Sequence, residues 1–339
     1  MNLSELQEFV KKNHETLGGI YISEGTDKYL QEQIQNTFKN LIPEDQKVMN
    51  LGQYDLSEMD LAVPLDDMSS APFFGDYRLV IINNPIFLTG ERSKIKYDLD
   101  ALLEYINNPE PTSIVLFIAN YEKMDKRKKV VKELLKKAQI IDAKQPSEAQ
   151  LQLMVKKYLK EQKVDINPDA LNELILRTDN NLSRIMNEIK KLQIYAADTN
   201  VIDKKAVDGL VSRSLNQNVF NLIDDLMQRN TKKAIMDYAT LIFNQEQPLR
   251  INAALLSQFR LLLQVKVLAQ RGMSQGNISQ ELKVHPYRVK LALQKIRQFS
   301  LDKLERGFLG ILEMERKLKT TQRDSQELFE LFLVSFLNR

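Results

Sequence analysis

Phosphate chemistry is the reaction class for which this 339-residue sequence holds a recognisable frame. The stretch "GGIYISEGTDKYLQEQI" (residues 18–34) is a strand, a Gly-containing turn and a helix, which is where a P-loop would stand in a nucleotide-binding sheet. A P-loop needs glycines for a tight turn, backbone N–H groups around the phosphates, a lysine, and a hydroxyl for magnesium. Here Gly25 is followed by Thr26, Asp27 and Lys28, and the Gly-Lys pair occurs nowhere in the chain. Asp27 would set negative charge at the helix N-terminus, repelling a phosphate while serving well as a cap. The metal side is missing too. "RLVIINNP" ends in Asn83 and Asn84, where an active ATPase carries carboxylates for magnesium and water, and no Asp-Glu pair exists in the sequence. Asn120, closing "SIVLFIAN", stands where a polar sensor would be and reads as a strand-end cap. With no Cys and only His14 and His285, disulfides and Cys/His zinc sites are excluded, and Ser–His or Cys–His pairs nearly so. The frame is that of a nucleotidase with its chemistry removed, and no cofactor is expected.

The elements around that frame divide the chain. Six of the 11 Gly fall in the first 90 residues and none between 91 and 208, and only two of the 10 Pro lie beyond residue 168. The first part therefore reads as α/β and the rest as helical. Short apolar runs predict strands over 19–23, 47–51, 78–82, 112–119 and 139–142. Helices are expected between them, starting near Asp27, Ser57, Glu91 and Asp125. This alternation favours a mostly parallel sheet with helices on both faces. From Ser147 the pattern is purely helical, opening with a Ser147/Gln150 capping box, and Asn167-Pro168 starts a later helix. Helices over 147–162, 168–178, 182–197 and 203–212 form a small unit. Longer ones follow over 217–229, 231–245, 248–271, 285–298, 300–319 and 324–338. Domains are expected at 1–142, 143–212 and 213–339.

The charge balance, 48 Lys and Arg against 45 Asp and Glu, is compatible with transient nucleic-acid contact without arguing for it. The N-terminal "MNLSELQEFVKKNHET" is polar and periodic, unlike a signal peptide. "ALLSQFRLLLQVKVLA" is broken by Arg260 and Lys266, so no membrane span is expected, and the reading is a soluble, cytoplasmic protein.

Two adjacent aromatics stand apart. In "SSAPFFGDYRLVII", Phe73 and Phe74 follow Pro72 and precede Gly75 and a strand. Neighbouring side chains point opposite ways, so both cannot easily reach one core. They are either local packing or an exposed anchor; a fully buried Phe is worth roughly 1.5–3 kcal/mol of transfer free energy, and aromatic anchors are common hot spots. Leu61, Val63, Leu65 and Met68 upstream read as support. Two basic segments also bear weighing. Residues 274–297 mimic a helix-turn-helix, with Arg288, Lys290, Lys295 and Arg297 on its second helix. "KMDKRKKVVKELLKKAQI" reads as a solvated face on a sheet-covering helix, with DNA phosphate contact as the sharper alternative.

Taken in order, the inactive turn, "PFFGDYRLVII", "RTDNNLSRIMNEIKKLQIY" and "LLSQFRLLLQVKVLAQRGMSQGNISQELKVHPYRVK" resemble the delta subunits of bacterial DNA polymerase III over essentially the full chain. The resemblance implies an AAA+ (P-loop NTPase-like) α/β domain without a functional P-loop, then two all-α domains, a helical lid and a helical collar. It implies DNA replication as the function: a clamp-loader subunit that binds and opens the sliding clamp for loading on primed DNA. Such a subunit is a non-catalytic part of a DNA-directed DNA polymerase (nucleotidyltransferase) holoenzyme. Its partners are the clamp, the other subunits of a hetero-pentameric loader and, transiently, primed DNA, with no membrane. Phe73 and Phe74 match the family's clamp-binding pair. Arg184 matches an ATP-sensing arginine of active relatives and, with no phosphate to sense, is expected to be structural. Lys317, Lys319 and Arg323 near the collar's end are the candidates for phosphate contact. The alternatives are an active AAA+ ATPase of the same fold and a helix-turn-helix DNA-binding regulator.

Overall fold

The structure is a computed structural model and describes residues 1–13 and 16–337; His14 lies outside the described residues. The chain forms two compact units, Met1–Pro146 and Ser147–Arg339.

The first unit is built on five parallel strands: β1 (Gly19–Glu24), β2 (Leu51–Asp55), β3 (Arg78–Asn83), β4 (Ser113–Ala119) and β5 (Gln139–Asp142). Their order is β2-β3-β4-β1-β5. β4 is buried along its whole length and β1 and β3 along their middles, as continuous apolar runs require when helices cover both faces. The register aligns the carboxyl ends, with Glu24 opposite Ala119 and Asp142, and Asp55 opposite Asn83. That edge is where open α/β sheets usually take ligands.

Two expectations are corrected here. The segment over 47–51 is not a strand. A 3₁₀ turn, Glu44–Gln46, runs directly into a helical turn, Lys47–Asn50, and β2 begins only at Leu51. Three helices also start later than expected, at Ala62, Leu99 and Lys129. Local side-chain bonds hold the preceding residues in turns. Asp55 accepts from the Ser57 N–H at 2.8 Å, Thr89 from Glu91 at 3.1 Å, and Asp125 from Arg127 at 3.2 Å. Such bonds compete with helix. The helix after β1 starts where expected, at Lys28 behind its Asp27 cap.

The second unit begins with the Ser147 capping box. Helices Glu148–Glu161, Pro168–Arg177, Leu182–Tyr195 and Lys204–Leu210 enclose a core of residues such as Leu151, Leu174, Ile185 and Ile189. The segment is not purely helical: Asp165–Ile166 and Val201–Ile202 pair as two short parallel strands, too short for periodicity to reveal. Beyond it, helix Pro248–Gln270 runs through a core that includes Phe259, Leu262, Ile311 and Phe329. By length and composition it is apolar enough to cross a membrane. Its apolarity belongs to a central helix: helices Leu215–Met227, Pro286–Ile296 and Leu301–Thr320 pack against it, and even Asn252 and Gln258 are buried. Tyr238 and Phe329 stack with centroids 4.2 Å apart, tying helix Thr231–Phe243 to Ser325–Leu337.

The helix-turn-helix mimic exists as Gln275–Leu282 and Pro286–Ile296. Its basic side chains are largely occupied within the unit. Lys290 pairs with Glu148 at 2.7 Å, Lys295 bridges to Asp224 and lies over the Phe220 ring, and Arg288 reaches Gln258 at 3.4 Å. A recognition helix needs those groups free for base edges.

Candidate docking tip and closed phosphate turn

Phe73 and Phe74 sit on the loop between helix Ala62–Met68 and β3. Both are about two-thirds outside, 65% and 64% exposed, with rings edge-to-face at 4.8 Å. Neither packs inward. What holds them out is Asn50, a fully buried polar residue at 0% exposure. Its Oδ1 accepts the Phe73 N–H at 2.8 Å and its Nδ2 donates to the Phe74 carbonyl. The loop then turns on Gly75, whose φ of +85° favours glycine and whose missing Cβ would stand 2.4 Å from Gln46 Oε1. A second layer fixes that support. Arg78 at the start of β3 pairs with the buried Asp67 and donates to the Met49 carbonyl at 3.0 Å. Tyr54 donates to the other Asp67 oxygen at 2.8 Å, and burial, then that carboxylate, pushes its phenol up to about 12. Of the expected support residues, Leu61 and Met68 are fully buried and Leu65 packs against the core, while Val63 is exposed.

The helical turn beside the tip adds two exposed apolar residues, Val48 at 92% and Met49 at 52%. Reading 47–51 as a strand hid them, and the pairing of Asn50 with residues 23 and 24 positions away has no local signature. The only sequence signal was a lone polar Asn between Met49 and Leu51.

The turn after β1 is tied shut. Three N–H groups around it already have partners: Gly25 donates to Ala119 at 3.1 Å, Asp27 to Ala143 at 3.0 Å, and Leu30 to the Asp27 carboxylate at 3.0 Å. Gln31 reaches back to the Gly25 carbonyl at 2.7 Å and accepts from the Ser23 hydroxyl. A Cβ on Gly25 would lie 2.1 Å from the Ala143 backbone. Asp27 is buried, and burial raises its carboxyl above the ordinary value despite the bonds from Leu30 and Tyr29. Farther along the edge, Asp55 is occupied by Asn84 Nδ2, at 3.0 and 2.9 Å, and by Ser57. Desolvation works to raise that carboxyl, and the bonds from Ser57 and Asn84 outweigh it and leave it lowered. Among the described residues no acidic or His cluster could hold a metal. Asn120 is exposed, closing a turn onto Ile118.

The remaining candidates lie in the second unit. Arg184 is exposed in the first turn of helix Leu182–Tyr195, where its backbone N–H is capped by Asn181. Its side chain makes no ion pair among the described residues. Lys319 and Arg323 are exposed and Lys317 is half-buried around the end of helix Leu301–Thr320. Each faces a carboxylate one turn away: Glu313 at 3.8 Å, Glu315 at 2.5 Å and Glu327 at 3.9 Å. On helix Lys129–Lys137, Val130, Val131 and Leu134 are buried while Lys129, Lys132, Lys136 and Lys137 are exposed, the pattern of a solvated face.

Comparison with known proteins bears on the whole chain. A family model described as DNA polymerase III, delta subunit, matches residues 21–144, one described as its C-terminal domain matches residues 216–336, and a middle-domain model matches residues 147–209. The chain is 36% identical to DNA polymerase III subunit delta of Bacillus subtilis (strain 168), over 94% of this chain and 93% of that one. It is 23% identical to a probable DNA polymerase III subunit delta of Aquifex aeolicus (strain VF5), over 94% and 91%. The solved structure of a Bacillus subtilis DNA clamp loader delta protein matches with a TM-score of 0.77 and 35% identity, covering 99% of this chain and all of that one. These matches run from the parallel sheet to the last helices, and the chain belongs to the family of DNA polymerase III delta subunits.

Proposed function

We propose that this chain is the clamp-opening member of a replicative clamp loader. It docks Phe73 and Phe74 into an apolar pocket on the sliding clamp and strains the ring open for loading on primed DNA. One observation carries the reading. Two adjacent aromatic side chains are held in solvent by a buried residue dedicated to their backbone. Exposure so constructed serves a partner, because burying both rings in a pocket is worth roughly 3–6 kcal/mol of transfer free energy. The similarity to a clamp loader delta protein supports the same conclusion.

The subunit works without nucleotide and catalyses nothing. Its phosphate turn lacks the Gly-Lys pair, and the Gly25 and Asp27 N–H groups are spent on the Ala119 and Ala143 carbonyls. Purified chain mixed with its cognate clamp, with no nucleotide, is therefore expected to elute as a complex on size exclusion. Equilibrium dialysis with ATP is expected to find no site tighter than about 10 μM, roughly −7 kcal/mol. A clamp complex that forms only with ATP would overturn the reading.

Residues 1–142 serve as the clamp-binding domain, 143–212 as a lid and 213–339 as the collar that joins the other subunits of a hetero-pentamer. Separate family matches to 147–209 and 216–336 favour dividing the helical part. Lys317, Lys319 and Arg323 are proposed to touch DNA phosphates. Their present ion pairs are exposed, worth at most about 1 kcal/mol each, and yield readily to phosphate. In the assembled loader, replacing all three with Ala is expected to lower the slope of log affinity for primed DNA against log salt by about one per lost contact. An unchanged slope would remove them from the DNA path.

A further inference from the structure

The residues around the tip assign Asn50 a specific role, and this inference rests on the clamp-binding reading of the Phe pair. We infer that Asn50 is a positioning residue: it pins the backbone of Phe73 and Phe74 in the binding conformation before the clamp arrives.

The geometry is particular. An asparagine side chain offers one acceptor and one donor group. Here they are used on two consecutive residues of a distant loop, the Phe73 N–H and the Phe74 carbonyl. Those are the polar groups that flank the two aromatic Cα atoms. A loop that keeps its rings in water has no apolar packing of its own to fix it, so the pin substitutes for a core. Asn50 can do this because it is fixed itself. It closes the helical turn Lys47–Asn50 and leads into β2. The Arg78 guanidinium, held by the buried Asp67, grips the carbonyl of the preceding residue, Met49. The chain of support runs from the sheet through Asp67 and Arg78 to Met49, then Asn50, then the tip.

Preorganisation of this kind raises affinity by removing the ordering cost of binding, without touching the partner. Asn50 is buried beneath the loop and is not itself a contact. Substituting it separates affinity from contact area, since both rings remain.

The test compares the full-length chain with Asn50→Ala, Asn50→Asp and the Phe73→Ala/Phe74→Ala double variant. Three quantities are read: thermal melting, hydrogen exchange at the Phe73 amide, and affinity for the purified cognate clamp. Asn50→Ala is expected to keep a cooperative melt, to speed exchange at Phe73, and to weaken clamp binding on the order of tenfold. Asn50→Asp keeps the acceptor for Phe73 but turns an acceptor toward the Phe74 carbonyl. It is expected to retain amide protection at Phe73 better than the alanine variant and to lie between it and wild type in affinity. A residue needed only for stability would lower the melting temperature without this ordering of exchange and affinity. Wild-type clamp affinity in Asn50→Ala would overturn the inference, and so would loss of cooperative melting in both variants, which would make Asn50 a folding residue. The exchange measurement needs no clamp. If the wild-type chain fails to bind the clamp while Asn50→Ala still loosens Phe73, the clamp reading has failed and the pin has not.

Discussion

Replacing Phe73 and Phe74 together with alanine is expected to leave the melting temperature unchanged and to remove measurable clamp binding. A core Phe→Ala change costs about 3–5 kcal/mol of stability through lost transfer energy and the cavity left behind. Neither ring here lies in a core, each being about two-thirds exposed, so no cavity forms and the fold loses little. The loss falls on the partner. Truncating an aromatic hot spot typically costs at least 2 kcal/mol, roughly 30-fold in affinity. The residue order after Pro72 suggests that Phe73 packs inward and that Phe74 dominates. With equal exposure the single variants are instead expected to weaken binding comparably. Their effects need not add, because the rings touch edge-to-face and one alone can resettle. Melting curves beside clamp-binding isotherms for both singles and the double decide the matter. A large fall in melting temperature with clamp affinity intact would return the pair to the interior.

The second large effect concerns assembly. A fragment of residues 1–146 is expected to fold, to bind the clamp like the full chain, and to fail to enter the loader. The first unit carries its own sheet, its own core and the whole tip, including Asn50, Asp67 and Arg78. The boundary matters. A cut at residue 213 divides the second unit internally, where the Ser214 N–H bonds the Arg177 carbonyl at 3.0 Å and Lys290 pairs with Glu148. A cut after Pro146 falls between the two compact units. Reconstitution of the loader with the fragment in place of the chain, followed by gel filtration, is the measurement. Incorporation at full-length yield would show that residues 147–339 are not the assembly element.

How much of this the sequence discloses depends on how far apart the interacting residues are. The strands with buried middles announce themselves, because a parallel sheet covered on both faces must be written as runs such as "RLVII" and "IVLFIA". The tip is legible for a similar reason: Pro72, two Phe and Gly75 are neighbours and their conflict is local. Absent phosphate chemistry is legible from missing residue types, whereas the closing of the turn by Gln31 and Ala143 is not, since nothing in their identity foretells those bonds. Asn50 is the sharpest case. Its meaning lies wholly in a loop that folds over it from elsewhere. Misplaced helix starts have the opposite origin, a short-range competition in which Asp55, Thr89 and Asp125 win the first turn.

Helix Pro248–Gln270 also has a bearing on how the protein is made. Translation releases the chain N-terminus first, at roughly 5–20 residues per second. All five strands of the first unit are out once residue 142 has emerged, so that unit can close while the rest is still being synthesised. The central helix has no such timing. It leaves the ribosome ahead of Pro286–Ile296 and Leu301–Thr320, two of the helices that will cover it. Helix Leu215–Met227 is already made and can cover one side, but the faces that those two later helices cover stand bare until they emerge, which puts an exposed moment late in synthesis.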